Sequence, residues 1–202
     1  MLDHLVVSAT TLEDGAAQVE EALGVKLQPG GRHDLMGTHN RLLGLGPAYL
    51  EVIAIDPEAV PPHRPRWYDL DRFAGATRLT NWAVQTEDLD NTLHHVPPGT
   101  GEPINFARGD LRWQMAVPDN GRLPFDGAFP AIIQWYGDLH PCNQLTDVGC
   151  RLIQFYITHP DAENLQLALA ACGLEDLVSV NQGPEKRVQA AFQTPSGVRY
   201  LG

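Results

Sequence analysis

Three stretches of the chain open with the same order of apolar and polar positions. HLVVSA at 4–9 reads as a short strand. In the following TTLEDGAAQVEEALGV, Leu12, Ala16, Val19 and Leu23 recur at helical spacing. Thr10 with Glu13 fits a capping box, and Gly24 fits the helix stop. After Gly30-Gly31 come HDLMG, THNRLLGLG and AYLEVIAID, so the first unit reads β-α-β-β-β. The pattern restarts with the strand NWAVQT and the short helix EDLDNTLHHV, whose Leu89, Leu93 and Val96 share a face and which Pro97-Pro98 ends. DLRWQMAV and AIIQWYGD are later strands of this unit, around the loop PDNGRLPFDGAFP; its second strand has no clear signal. A third restart runs RLIQFYIT, then a helix in PDAENLQLALAACG, then LVSV, RVQAAFQT and GVRYL, with TPSG as the last hairpin turn. The expectation is an α+β fold in one domain, residues 1–202, with modules at about 1–56, 78–140 and 151–202. The segment from Asp56 to Arg66, rich in proline, predicts an extended crossover rather than a helix.

The chain has 202 residues, long enough for a sizeable core, and 43% of them are hydrophobic. With 14 Lys and Arg against 25 Asp and Glu, the formal charge is −11 and there is no basic run, which argues against nucleic acid and anionic membrane surfaces as partners. No apolar run reaches the length of a membrane span, and the N-terminus lacks the pattern of a signal peptide. Cys142, Cys150 and Cys172 cannot all pair within the chain and match no zinc spacing. Free thiols in a reducing cytoplasm are expected.

The most informative position is Glu51 in PAYLEVIAID, a carboxylate among aliphatic residues. Such a group must be paired, hydrogen-bonded, metal-bound or wet. Alternation puts Tyr49, Glu51 and Ile53 on one strand face, and His4, Val6 and Ser8 on one face of the first strand. Two readings stay open at this point: a Glu51 lining a cavity, or a Glu51 paired across strands with an arginine such as Arg41.

LDHLVV, GTHNRLLGLG, AYLEVIAID followed by Pro, and IIQWYGDLHP together resemble the glyoxalase-like branch of the vicinal oxygen chelate superfamily, over roughly residues 2 to 200. The resemblance implies repeated β-α-β-β-β modules that form an open curled sheet with a cavity, helices on its outer face. It also implies a divalent metal ion held by the first and last strands of each module. Carried over by residue, His4 and Glu51 come from the first module. Aligning the helix starts Leu12 and Leu89, and AYLEV with AIIQW, adds Asn81 and Gln134. The expected metal set is His4, Glu51 and Gln134, although neutral amide oxygens suit zinc poorly. His39, Asn40, Asn81, Arg112 and His140 are the expected ligand-binding residues, with Trp113, Trp135 and Tyr136 as aromatic walls and Glu51 as a proton-transferring base. The implied partner is a small molecule, and exchange of modules between chains would give a homodimer. The function expected is a lyase or isomerase acting on a small oxygenated metabolite. The alternatives are a metal-free protein that binds or sequesters a small molecule, or a structural role. G-x-S-x-G, P-loop, G-x-G-x-x-G and H-E-x-x-H motifs are all missing.

Overall fold

The computed structural model describes all 202 residues. In chain order the elements are β1 (Leu2–Ser8), α1 (Leu12–Leu23), β2 (Gln28–His33), β3 (Thr38–Gly44), β4 (Tyr49–Ile55), β5 (Arg78–Gln85), α2 (Leu89–Leu93), β6 (Glu102–Arg108), β7 (Leu111–Val117), β8 (Ala131–Tyr136), α3 (Pro141–Gln144), β9 (Arg151–His159), α4 (Ala162–Ala171), β10 (Ser179–Gln182), β11 (Arg187–Thr194) and β12 (Gly197–Leu201). Helix α1 is fixed locally. The Thr11 side chain, one residue after the expected cap, accepts from the Asp14 N–H, and Gly24 closes the helix at φ 69°.

Eight strands form one curled sheet in the order β2-β3-β4-β1-β5-β8-β7-β6. Its two halves join through the antiparallel pair β1–β5, and each half carries one parallel pair, β1–β4 or β5–β8. This α+β half-barrel is the expected class. The third unit repeats the element order but not the topology: its four strands form a separate sheet, β10-β9-β11-β12. That sheet covers the convex face of the large one. Trp82 of β5, fully buried, meets Phe155 of β9 with ring centroids 5.3 Å apart, within a core shared with α1 and α4. Burying an aromatic of that size is worth several kcal/mol, about 3–5 by truncation to alanine. No helix is long and apolar enough to cross a membrane.

Two local expectations change. The second strand is Gln28–His33 rather than HDLMG, and it contains both Gly30 and Gly31. A Cβ on Gly30 would lie 2.0 Å from Asn40 Oδ1, and one on Gly31 would lie 2.6 Å from Arg108 Cδ, so glycine lets β3 and β6 side chains approach this strand. The connector forms no helix before Trp67, as its prolines predict, but it opens with a turn, the Ala59 N–H donating to Asp56 O at 3.2 Å, and tightens again over Trp67–Arg72. Tyr68 and Asp69 both have positive φ, 58° and 56°, at a cost of roughly 1–3 kcal/mol each. Burial of Trp67, Tyr68 and Leu70 and the Asp69 N–H to Gly121 O bond at 2.8 Å hold them there. This turn sinks into the concave face, beside Phe106, Trp113 and Met115.

Candidate active site

The concave wall carries His4 of β1 and Glu51 of β4, both about 95% buried or more. Alternation along the two parallel strands brings both inward, with His4 Nε2 at 3.6 Å from Glu51 Oε2. The other Glu51 oxygen accepts from Asn40 Nδ2 at 2.5 Å, so Glu51 is held by a buried amide rather than by Arg41, which is exposed.

His4 is braced from behind. Its Nδ1 lies 2.6 Å from Asp3 Oδ1. Neighbours in a regular strand point to opposite faces, but the β1–β5 register skips Asp3 between Leu2↔Val84 and His4↔Ala83, and this bulge turns both side chains to one side. The second Asp3 oxygen accepts from Trp135 Nε1 at 2.8 Å and meets His140 Nε2 at 3.0 Å. The Cys142 N–H donates to His140 Nδ1, so the proton of neutral His140 sits on Nε2 and points at Asp3.

These contacts set the charges. Burial alone would raise the pKa of Asp3, but the His140 and His4 hydrogen bonds hold it well below the usual carboxylate range. Burial would lower the pKa of His4. The Asp3 bond and the charges of Asp3 and Glu51 outweigh burial and raise it, favouring imidazolium. Burial, then the charges of Arg108, His4 and His39, pushes His33 down to about 3. Arg108 Nη1 donates to His33 Nε2 at 3.0 Å and reaches Asn40 Oδ1 at 3.4 Å, closing a chain from Arg108 through Asn40 to Glu51. The Tyr68 hydroxyl oxygen lies 3.2 Å from His4 Nε2. Burial, then the Glu51 and Asp3 charges, keeps that phenol protonated. Little space remains. The cavity among these residues is about 20 Å3, room for one water molecule.

The expected residues are only partly brought together. His4, Glu51 and Asn40 meet, and His140 joins them through Asp3. Asn81 sits on the concave side, but its amide donates to Gly127 O and it lines a different pocket. His39 lies opposite Ala54 on the other face of β3. Arg112 is exposed and bonds only the carbonyls of Gly109 and Leu111. Gln134 is the clearest correction. Its neighbours Ile133 and Trp135 line the cavity, so alternation sends Gln134 outward. There its oxygen accepts from the Leu89 N–H at 2.9 Å and its amide donates to Glu87 O, seating α2. Gln134→Ala is expected to cost about 1 kcal/mol in urea unfolding while leaving the His4 imidazole NMR signals in place; a shifted His4 signal would contradict this placement. Asp3, His33, Tyr68 and Arg108 were not singled out from sequence. Only Asp3, beside His4 in LDHLVV, carried a readable hint.

The donor set does not fit a resident divalent ion. His4 and Glu51 are two ligands, the strands facing them supply Ala83, Ile133 and Trp135, and no group of three or more His, Cys, Asp or Glu is arranged to hold a metal ion, the Asp3 oxygens being taken up by His4, Trp135 and His140.

Two β-α-β-β-β halves joined through their first strands into one curled sheet, with polar groups on the concave wall, define a protein of the vicinal oxygen chelate superfamily. Within it, the chain belongs to the glyoxalase-like domain family, whose model matches residues 2–173. Among solved structures, a hypothetical protein from Staphylococcus aureus is similar over 92% of this chain and 87% of its own, at 14% identity and a TM-score of 0.66. A methylmalonyl-CoA epimerase from Mycobacterium tuberculosis is similar over 68% of this chain and 88% of its own, at 18% identity and a TM-score of 0.44. A Streptomyces coelicolor methylmalonyl-CoA epimerase in complex with 2-nitronate-propionyl-CoA is similar over 67% and 97%, at 14% identity and a TM-score of 0.45. No curated protein matches the chain.

Proposed function

We propose that this protein is a metal-independent isomerase or lyase that moves a proton next to a carbonyl group of a small oxygenated metabolite. The observation that carries this reading is the facing pair of His4 Nε2 and Glu51 Oε2, 3.6 Å apart, with His4 braced by Asp3. Glu51, its other oxygen fixed by Asn40, takes the proton from carbon. The His4 imidazolium donates from Nε2 to the carbonyl oxygen and stabilises the enolate-like charge that develops there. Asp3 orients the ring and keeps it charged. The Tyr68 hydroxyl oxygen stands where that carbonyl oxygen would accept, so substrate enters as the Trp67–Tyr68 turn withdraws. Trp67, on the cavity wall, leaves its buried Nε1–H without a partner, a donor available to a bound oxygen.

The test is deuterium exchange at carbon. A panel of 2-hydroxy ketones, 2-hydroxy aldehydes and acyl thioesters is incubated with protein in D2O and followed by NMR. Exchange of one Cα–H in wild type, reduced about 100-fold or more in Glu51→Gln, is expected. Equal exchange in Glu51→Gln removes Glu51 from the chemistry. The closed cavity favours a second reading, a protein that sequesters its ligand without turnover. That protein would gain thermal stability with a panel compound whose Cα–H stays unexchanged.

A further inference from the structure

A second, larger cavity lies where the large sheet, the Trp67–Arg72 turn and the start of β11 meet. Its volume is about 600 Å3. Of the chain's 14 Lys and Arg residues, five line it: Arg72, Arg78, Arg122, Lys186 and Arg187. This concentration stands out in a chain of formal charge −11.

The carboxylates present are Asp69, Asp126 and Glu185, so the side chains carry two positive charges in excess. The pairing shows where the excess sits. Asp69 pairs with Arg72 and Arg122, Asp126 with Arg122, and Glu185 with Arg187. Arg78 and Lys186 have no carboxylate. The Arg78 guanidinium stacks 4.5 Å over the Phe73 ring, and its Nη1 donates to the carbonyls of Ala74 and Ala76. Lys186 Nζ donates to Thr80 O at 3.1 Å and to Asp126 O at 2.5 Å, which leaves one of its three N–H groups free. Burial depresses the pKa of Lys186, and Arg78 and Arg122 push it the same way against Asp126 and Asp69. Two cations are thus held near one another by main-chain carbonyls, a repulsion that a bound anion would relieve. The cleft also narrows at Gly127, φ 82°, where a Cβ would lie 2.5 Å from Asn81 Nδ2 and 3.3 Å from Lys186 Nζ. A side chain there would separate the amide from the ammonium. Gly202 lines the cavity as well, beside Val188 and Gln189.

We propose that this cavity is a binding site for the phosphate group of a small phosphorylated molecule, held by Lys186 and Arg78 with Asn81 beside them. A phosphate dianion neutralises the two unpaired cations, and its several acceptor oxygens suit N–H groups that converge from β5 and from the loop before β11. Tyr68 lines both this cavity and the His4–Glu51 site, so a ligand anchored here lies next to that site. The proposal does not depend on the chemistry at Glu51.

Inorganic phosphate is the probe, by isothermal titration at neutral pH and low chloride, with succinate as a dicarboxylate control. Saturable one-site phosphate binding is expected, weakened about tenfold or more in both Lys186→Met and Arg78→Gln and kept in His4→Gln. Lys186→Arg keeps the charge and should retain most of the affinity. Arg78 is exposed, so Arg78→Gln stays decisive if Lys186→Met folds poorly. Non-saturable binding, equal affinity in wild type and Arg78→Gln, or succinate binding as tightly as phosphate overturns the assignment.

Discussion

Asp3→Ala is expected to lower stability by about 3–5 kcal/mol, the range for removing one partner from a buried ionic cluster. In a chain of this size that is a fall of roughly 6–20 °C in Tm. The Asp3 side chain is fully buried, and its two oxygens meet three groups: His4 Nδ1, Trp135 Nε1 and His140 Nε2. Deleting it leaves those donors facing one another with no acceptor. The prediction has a second readout. His4 owes its raised pKa to Asp3 more than to any other neighbour, so its imidazole should titrate at lower pH in Asp3→Ala by NMR. Asp3→Asn should fall between, since its amide keeps one acceptor but presents an N–H to the remaining donors. A loss below about 1 kcal/mol with unchanged His4 titration would show that the cluster is not ionic.

Stability should also fall on acidification between about pH 6 and pH 4, by up to about 1.4 kcal/mol per pH unit from His33 alone. A guanidinium only donates, so the Arg108 bond makes His33 Nε2 an acceptor and places the ring proton on Nδ1, toward Thr38 Oγ1 at 3.1 Å. Protonating that ring breaks the Arg108 bond and sets two cations together. Its folded pKa of about 3 lies below the unfolded value of 6.5, so the unfolded chain binds the extra proton first as pH falls. The other two groups act elsewhere. The folded pKa of His4 is raised, so its contribution is complete below 6.5 and is lost as pH rises through the folded value. Asp3 has a depressed folded pKa, and its contribution is lost only below about 3.8, its unfolded value. His33→Gln keeps a donor and an acceptor without the titration. Urea unfolding at about pH 6, 5 and 4 should show a flatter slope for this variant. An identical slope in both proteins would assign the acid sensitivity to other groups.

Much of the architecture could be read from the chain because its signals are local. Helix α1 shows a helical period and a glycine stop, and β4 is an apolar run broken by one carboxylate, whose face follows from the alternation of side chains along any strand. That alternation sends Glu51 inward with Tyr49 and Ile53. The same rule failed one strand away. Aligning AYLEV with AIIQW looks natural by residue type, yet it is one residue out of step with the pleat. A one-residue slip moves a side chain through the sheet, so Gln134 seats α2 instead of facing Glu51.

What the sequence determined by itself is the order of elements, the face that His4 and Glu51 share, and the family scaffold, all carried by short-range periodicity and short motifs. Tertiary structure alone decided what surrounds that pair. The bulge that brings Asp3 beside His4 exists only in the β1–β5 register. Arg108 sits on the far edge strand β6 of the second half, and it reaches His33 of β2 only because the eight-stranded sheet curls. Tyr68 fills the site from a connector whose two left-handed residues no local preference favours. They persist because Trp67, Tyr68 and Leu70 bury their side chains in the concave face, and that burial offsets the strain. Periodicity reports which face a residue takes; it carries no information about which distant segment packs against that face.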